Sequence, residues 1–226
     1  MDNSTLIKAA IAVTILLLIT VLVLSFYTKK QSRNTVLLLG ICDAGKTSLY
    51  TLLRFGEKRS TVSSMKENEG QLAISNKTFD VVDLPGHERV RYRYVDFLPV
   101  AQSIVFVIDS TTLNKQVRSV AEYLYDVLAK PQVQKNRIPV LVVCNKSDMI
   151  TALPTEKIRL MLESEINRLR STRTARVEQS EEDETEIFLG YEGEDFKFEH
   201  VDNELEFVSC SVENKDIEKV QDWIRN

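Results

Sequence analysis

Cysteine is scarce in this chain, which has three cysteines among 226 residues. Cys42, Cys144 and Cys210 are odd in number and widely spaced. This number and spacing argue against a disulfide framework. They also argue against a structural zinc site, which needs cysteines close together in the sequence. A reducing, cytosolic setting suits such a composition best, and the chain is long enough to bury a sizeable core.

Charge is missing from a long stretch near the N-terminus. Residues 9–27, AAIAVTILLLITVLVLSFY, carry no charged side chain. A helix of this length would extend roughly 29 Å, about the hydrocarbon thickness of a bilayer. We therefore expect one transmembrane helix over residues 9–27, with residues 1–8 as a short lumenal N-terminus and residues 28–34 as a linker.

Two other interpretations of this stretch, a cleaved signal peptide and a buried core helix, are less favoured. The run is long for a signal peptide, no A-x-A site follows it and the preceding residues are not basic. A buried core helix is disfavoured because the run is apolar on all faces and lies at the N-terminus. Lys29, Lys30 and Arg33 follow directly, so the positive-inside rule predicts that the rest of the chain is cytosolic. We find neither a myristoylation signal nor a prenylation box and expect the anchor to be this helix.

The remaining chain alternates strand and helix patterns. Apolar, β-branched runs predict strands at 35–39, 78–82, 103–108, 140–144 and 205–208, and residues 70–74 alternate as in an edge strand. Helical periodicity appears at 46–55, 115–129, 155–170 and 216–224. This order predicts an α/β fold with a doubly wound, mainly parallel six-stranded sheet, in which the edge pair joined through SNK is antiparallel. Ligands of such sheets bind outside the carboxyl ends of the strands.

Residues 171–204 interrupt the alternation. The segment STRTARVEQSEEDETE is polar without an apolar period, so we expect it to be irregular, while FKFEHV alternates and predicts a short strand. The stretch 178–206 holds 13 acidic residues and one lysine, whereas the whole chain has a net charge of −4. We interpret 171–204 as a polar, acidic insertion within a single domain, residues 35–226.

The stretch GICDAGKT, residues 40–47, matches the phosphate-loop pattern G-x-x-x-x-G-K-[ST] between a predicted strand and a predicted helix. Glycines allow a tight turn whose N–H groups and helix N-terminus meet phosphate oxygens, Lys46 supplies a positive charge, and the Thr47 hydroxyl is suited to Mg²⁺. The pattern alone does not decide between ATP and GTP. The residues predicted to contact nucleotide here are Gly40, Asp43, Ala44, Gly45, Lys46, Thr47 and Ser48.

The stretch CNKSD, at the end of the strand predicted at 140–144, indicates which nucleotide base is bound. Asn145, Lys146 and Asp148 form an N-K-x-D pattern, in which the aspartate accepts hydrogen bonds from the ring N–H and exocyclic amine of guanine. A site built on such polar groups rejects the wrong base because a mismatch leaves buried groups unpaired. The stretch SCS after the last strand resembles the S-A-K loop of GTPases, which adds Ser211 and Val212 as candidate base contacts.

The stretch VVDLPGHERV supplies a third element. Asp83 ends a predicted strand and is a candidate Mg²⁺ ligand, and the Gly86 N–H is a candidate contact of the γ-phosphate. His87 follows and stands where many small GTPases carry a glutamine that orients the attacking water. Its two interpretations are water positioning in catalysis and an exposed loop histidine.

The least readable segment lies between the first helix and the second strand, GEKRSTVSSMKENEGQ. One hydroxyl there should reach Mg²⁺, and the candidates are Thr61, Ser63 and Ser64. Spacing from Lys46 and Asp83 favours Ser63 or Ser64, and we take Ser63 as the expected metal contact beside Thr47 and Asp83.

The order GxxxxGKT, DxxGH, NKxD and SCS identifies the chain as a member of the Ras superfamily of P-loop NTPases, with a G domain closest to the Arf and Sar branch. The apolar segment before LLGICDAGKTSLY, DLPGHERVR and the FKFEHV insertion resembles the β-subunit family of the signal recognition particle receptor, over nearly the whole chain. That resemblance implies an endoplasmic reticulum membrane protein that binds GTP, GDP and Mg²⁺. It also implies a heterodimer with the N-terminal domain of the receptor α subunit, an indirect link to the targeting particle and ribosome, and no direct nucleic-acid contact.

Three functional hypotheses follow. The first is a nucleotide-gated binding subunit with slow or partner-stimulated hydrolysis. The second is a membrane-anchored Arf/Sar-like GTPase switch in vesicle budding. The third, a structural tether without nucleotide function, is disfavoured because the phosphate and guanine motifs are complete.

Overall fold

The computed structural model describes residues 33–59, 61–62, 64–74, 77–177 and 187–226, together with Val13, Thr14, Leu17 and Thr20. The chain divides into two compact units, Met1–Ser32 and Arg33–Asn226. The four described residues of the first unit are helical and exposed, and the Thr20 hydroxyl donates a hydrogen bond to the Leu17 carbonyl over 2.8 Å. Most of the predicted spanning segment 9–27 lies outside the described residues. Among the residues that are described, no helix is long and apolar enough to cross a membrane.

The second unit is built on a six-stranded sheet, which confirms the predicted α/β class. Its strands are β1 (Thr35–Leu39), β2 (Asn68–Ile74), β3 (Lys77–Asp83), β4 (Ala101–Asp109), β5 (Val140–Asn145) and β6 (Leu205–Ser209). Their order is β2-β3-β1-β4-β5-β6. The edge pair β2–β3 is antiparallel, as predicted, and the other four pairs are parallel.

The central strands are buried on both faces. Every residue of β1 and β5 is buried, and successive side chains of a strand point to opposite faces, so both faces of the sheet are covered. The register then sets the position of three polar residues. Leu38 of β1 pairs with Asp83, and Asp109 pairs with Asn145. All three polar residues therefore lie at the carboxyl edge of the parallel strands.

The helices of this unit are α1 (Lys46–Phe55), α2 (Tyr94–Phe97), α3 (Leu113–Leu128), α4 (Pro131–Lys135), α5 (Thr155–Val177) and α6 (Glu218–Arg225). Helix α1 has the predicted bounds. Gly45 and Gly56 flank it in the left-handed region, and the helix ends where the Gly56 N–H donates to the Leu52 carbonyl. Ile158, Leu162 and Ile166 of α5 are four residues apart and fully buried, which explains the helical period recognised there. The short helices α2 and α4 were not predicted.

The insertion differs from its prediction in two ways. Residues 171–177, which were predicted to be irregular, form the last turns of α5. An ion pair of 2.6 Å from Arg173 to Asp126 on α3 stabilises these turns. The stretch FKFEHV forms a 3₁₀ turn over Phe198–His200, so the predicted strand is wrong. Phe196 and Phe198 are both buried and contact each other edge to face. Their alternation therefore reflects packing into the core, without pairing to the sheet.

Arg170 holds the later part of the insertion against α5. Its guanidinium is buried and donates hydrogen bonds to the carbonyls of Tyr191 and Glu194. It also stacks over the Phe188 ring at 4.5 Å. Residues 178–186, which include the most acidic run, lie outside the described residues.

Candidate functional site

Two adjoining cavities lie at the carboxyl edge of the sheet, where the sequence predicts ligand binding. The phosphate cavity, of about 310 Å³, surrounds the GICDAGKT loop. The base cavity, of about 240 Å³, surrounds the NKSD loop. Gly45, Ser48 and Lys146 line both. The other residues of the phosphate cavity are Cys42, Asp43, Lys46, Thr47, Thr61, Val62, Ser64, Leu84, Pro85 and Gly86.

The turn that opens α1 is fixed by Gly45 and Asn145. Gly45 has a φ of 94°, and a Cβ atom at this position would lie 2.3 Å from the Asn145 side-chain nitrogen. That nitrogen donates a hydrogen bond of 2.9 Å to the Ala44 carbonyl. A residue with a side chain could not occupy position 45 without displacing Asn145. The loop is thus fixed to the strand that carries the predicted base motif.

Lys46 is a buried cation that lines the phosphate cavity. Only 6% of it is exposed, and its Nζ donates a hydrogen bond of 2.8 Å to the Ile41 carbonyl. Burial lowers the pKa of the Lys46 ammonium, although nearby Asp83 favours its charged form. Gly86 lies close by, since a Cβ atom there would be 2.6 Å from Nζ. A desolvated ammonium facing a cavity attracts an anion more strongly than an exposed one does.

Thr47 and Asp83 meet beside Lys46. The Thr47 hydroxyl donates to Asp83 Oδ2 over 2.7 Å and lies 3.2 Å from the Ser64 hydroxyl. Asp83 is fully buried, and burial raises the pKa of its carboxyl. Its Oδ1 atom has no hydrogen-bond partner among the described residues. Mg²⁺ prefers oxygen ligands, so a buried carboxylate with an unused oxygen beside two hydroxyls fits this ion.

The structure distinguishes two of the three candidate hydroxyls of the segment before β2. Ser64 reaches Thr47, whereas Thr61 lies 3.1 Å from the Ser48 hydroxyl. Ser63, the expected metal contact, lies outside the described residues. Of the two described candidates, Ser64 is the one beside Thr47 and Asp83.

Asn68 belongs to this cluster and was missed from the sequence. Its side-chain amide donates to Ser64 Oγ over 3.1 Å and to Asp83 Oδ2 over 3.0 Å. Asn68 opens β2, and its register partner on β3 is Asp83 itself. The sequence predicts that these two strands pair in an antiparallel way. Extending the predicted second strand by two residues, to position 68, would have been the only sequence signal for this contact.

The base cavity brings together four of the five predicted base contacts, Asn145, Lys146, Asp148 and Val212. The Ser211 hydroxyl donates to Asp148 Oδ1 over 2.6 Å, and the Val212 N–H donates to Asn145 Oδ1 over 3.3 Å. Asn145, Asp148 and Val212 line the cavity together with Lys58, Met149 and Glu213. The NKSD loop and the loop after β6 therefore form one continuous wall.

Asp109, which the sequence analysis did not single out, holds Lys146 in place. Lys146 Nζ contacts Asp109 Oδ2 at 2.6 Å and the Asp43 carbonyl at 3.0 Å. Burial alone would raise the pKa of Asp109, but hydrogen bonds from Lys146 and Thr111 hold it below its ordinary value. The stem of Lys146 is thereby fixed where the two cavities meet.

His87 is not brought into the site. Its side chain is exposed, and Nδ1 accepts a hydrogen bond of 3.3 Å from the Arg89 backbone N–H. Within the described part of the chain, His87 is not among the residues lining either cavity. Its neighbour Gly86 does line the phosphate cavity.

Comparisons with known proteins agree on one family. The sequence profile of the signal recognition particle receptor beta subunit matches residues 31–205. The chain is 34% identical to the signal recognition particle receptor subunit beta of Rattus norvegicus, over 98% of this chain and 87% of the relative.

Solved structures give the same result. A structure of the mammalian SRP receptor superposes with a TM-score of 0.74 at 34% identity, covering 84% of this chain and 97% of that one. A structure described as SRb-GDP-Mg, from Chaetomium thermophilum, superposes with a TM-score of 0.67 at 27% identity, covering 87% of this chain and 98% of that one.

Proposed function

The chain belongs to the signal recognition particle receptor beta subunit family, and we propose on this premise that it is a membrane-anchored, GTP-binding subunit of that receptor. In this role it tethers the receptor α subunit to the endoplasmic reticulum membrane, so that ribosomes making secretory and membrane proteins are received there. It forms a heterodimer with the N-terminal domain of the α subunit and reaches the targeting particle and ribosome only indirectly.

Guanine nucleotide occupies both cavities in this proposal. Asp148 accepts hydrogen bonds from guanine, Asn145 and Val212 shape the wall of the base cavity, and Lys146 covers the junction of the two cavities. Lys46 and the N–H groups of the loop neutralise phosphate. The bound GDP and Mg named for the Chaetomium relative support this assignment.

Thr47, Asp83 and Ser64 are the residues that would hold Mg²⁺. Asn68 keeps Asp83 and Ser64 in place. A bound Mg²⁺ would neutralise charge on the phosphates. The water-positioning role of His87 is supported by its position after Gly86 and stays a prediction.

The partner surface lies on the two segments that flank the metal cluster. Arg93 and Glu67 form a two-point ion pair, with both nitrogen–oxygen distances 2.9 Å, which joins the segment before β2 to the segment after Gly86. Met65 and Tyr92 lie within two residues of this pair and are 64% and 65% exposed. Exposed apolar side chains on adjoining segments are typical of a protein interface. Ser64, next to Met65, and Gly86, which precedes the second segment, both line the phosphate cavity, and this observation carries the proposal that nucleotide state controls α-subunit binding.

The membrane anchor is residues 9–27, with residues 1–8 lumenal, 28–34 as the linker and 35–226 as the cytosolic GTPase domain. The exposed apolar side chains of the helical residues Val13 and Leu17 support it. The uncharged length of this segment is its main support.

The test is capture of the α subunit by the full-length chain in lipid nanodiscs, loaded with a GTP analogue or with GDP. We expect capture with the GTP analogue and much less with GDP. Met65→Glu should abolish it, whereas Leu160→Glu, a charge placed on α5 at a similarly exposed apolar residue, should not. Equal capture in both nucleotide states would contradict nucleotide control. Recovery of vesicle-coat proteins in place of the α subunit would favour the Arf/Sar-like switch.

A further inference from the structure

An ion pair spans the base cavity at its outer edge. Lys58 Nζ contacts the Glu213 carboxylate, and both residues line the cavity. The two side chains are 45% and 62% exposed. They are 155 residues apart in the sequence, and both line the cavity with the residues that would recognise the base.

Glu213 is positioned by the base-recognition residues. Its preceding neighbour Val212 donates its N–H to Asn145. Ser211 contacts Asp148, and its hydroxyl also accepts a hydrogen bond of 3.0 Å from the Asn214 N–H. The backbone on both sides of Glu213 is therefore fixed to the residues that would contact guanine.

Lys58 begins the segment that leads to the metal cluster. It follows Gly56, which ends α1, and precedes Thr61 and Ser64. Thr61 contacts Ser48, and Ser64 contacts Thr47. Thr61 and Ser64 contact the cleft through hydrogen bonds of uncharged groups, so the ion pair of Lys58 adds a charged attachment at the start of this segment.

We infer that the Lys58–Glu213 pair is a latch across the base cavity, and that it slows guanine nucleotide dissociation by fastening the start of the metal-contacting segment to the base-recognition loop. This inference rests on the proposed nucleotide function. Because both side chains are partly exposed, the latch is weak and is screened by salt. It tunes the lifetime of the bound state and leaves the choice of base to Asp148.

The test measures dissociation of radiolabelled GDP from the full-length chain in nanodiscs, chased with unlabelled GDP. Lys58→Glu and Glu213→Lys should each speed dissociation roughly two- to fivefold, the range expected for an exposed ion pair. The double reversal, Lys58→Glu with Glu213→Lys, should return the rate to near wild type. Raising the salt concentration should speed dissociation from the wild-type chain and affect the neutral variant Lys58→Met much less.

Arg118→Glu is the matched control, because it breaks an exposed ion pair with Glu122 on α3 that lines neither cavity. It should leave the rate unchanged. Two results would overturn the latch alone, provided that the wild-type chain binds GDP. One is GDP dissociation from the single reversals at the wild-type rate. The other is GDP dissociation from the double reversal as fast as from the single reversals. A wild-type chain that binds no GDP would overturn the proposed nucleotide function, and the latch with it.

Discussion

Asp83 and Asp109 are both buried carboxylates at the carboxyl ends of strands, yet their environments differ. Asp109 accepts hydrogen bonds from Lys146 and from the backbone and hydroxyl of Thr111, and its pKa is lowered. Asp83 keeps one oxygen without a partner among the described residues, and burial raises its pKa. The carboxylate of Asp109 has its hydrogen bonds complete and serves structure, whereas that of Asp83 keeps an unused oxygen beside Thr47 and is suited to a cation that arrives with a ligand.

Strand ends and connecting segments around the cleft also differ in how completely their polar groups are bonded. Strand ends supply buried residues with several bonds, such as Asn145 and Asp109. Connecting segments supply Lys58, Thr61 and Ser64, which are partly exposed and make one or two side-chain contacts each. The proposed base contacts are therefore held in place before any ligand binds, whereas the connecting segments can reorganise at little cost.

The largest effect is expected at Lys46, the buried cation. Lys46→Ala should weaken GTP and GDP binding by roughly 30-fold to several thousand-fold, since truncating one partner of a buried charged pair costs about 2–5 kcal/mol. Equilibrium binding of labelled GDP measures this loss. Circular dichroism should show an unchanged fold, and a folded variant with normal affinity would separate Lys46 from the phosphates.

Asp148, on the preformed side, should show a smaller loss and a change of preference. Asp148→Asn should weaken GDP binding about 10- to 150-fold, because hydrogen bonds to a charged group contribute about 1.5–3 kcal/mol. Xanthine nucleotides should bind the variant better than guanine nucleotides do, since an amide can donate to the xanthine oxygen. Competition between GDP and XDP checks both points, and an unchanged GDP affinity would remove Asp148 from the base contact.

The smallest effect is expected on the adaptable side. Ser64→Ala should weaken GTP-analogue binding about 2- to 10-fold in the presence of Mg²⁺, the worth of one neutral hydrogen bond, and should have no effect in EDTA. Thr61→Ala is the matched control, because it removes a hydroxyl from the same segment that contacts Ser48 and not Thr47. Equal Mg²⁺ dependence in the two variants would argue against Ser64 as the metal contact.

Features carried by local patterns could be predicted from the sequence. The buried strands and the bounds of α1 follow from apolar runs and from glycines at helix ends. The contacts of Asp109 and Asn68 were missed because they depend on strand register at the strand ends, and the Lys58–Glu213 pair was missed because it joins two loops far apart in the sequence. The strand predicted at FKFEHV was wrong because alternation indicates which side chains are buried. It does not indicate whether the backbone pairs with a sheet.

Asn145 makes two hydrogen bonds that connect parts of the chain made at different times. Its amide reaches Ala44, 101 residues earlier, and its oxygen accepts from Val212, 67 residues later. During synthesis the phosphate loop therefore emerges long before the loop that completes the base cavity. A ribosome-bound chain that lacks β6 cannot discriminate guanine through Val212. A chain that ends before β6 would also lack the hydrogen bond from Val212 to Asn145, so guanine nucleotide affinity should differ between a truncated chain and the finished domain.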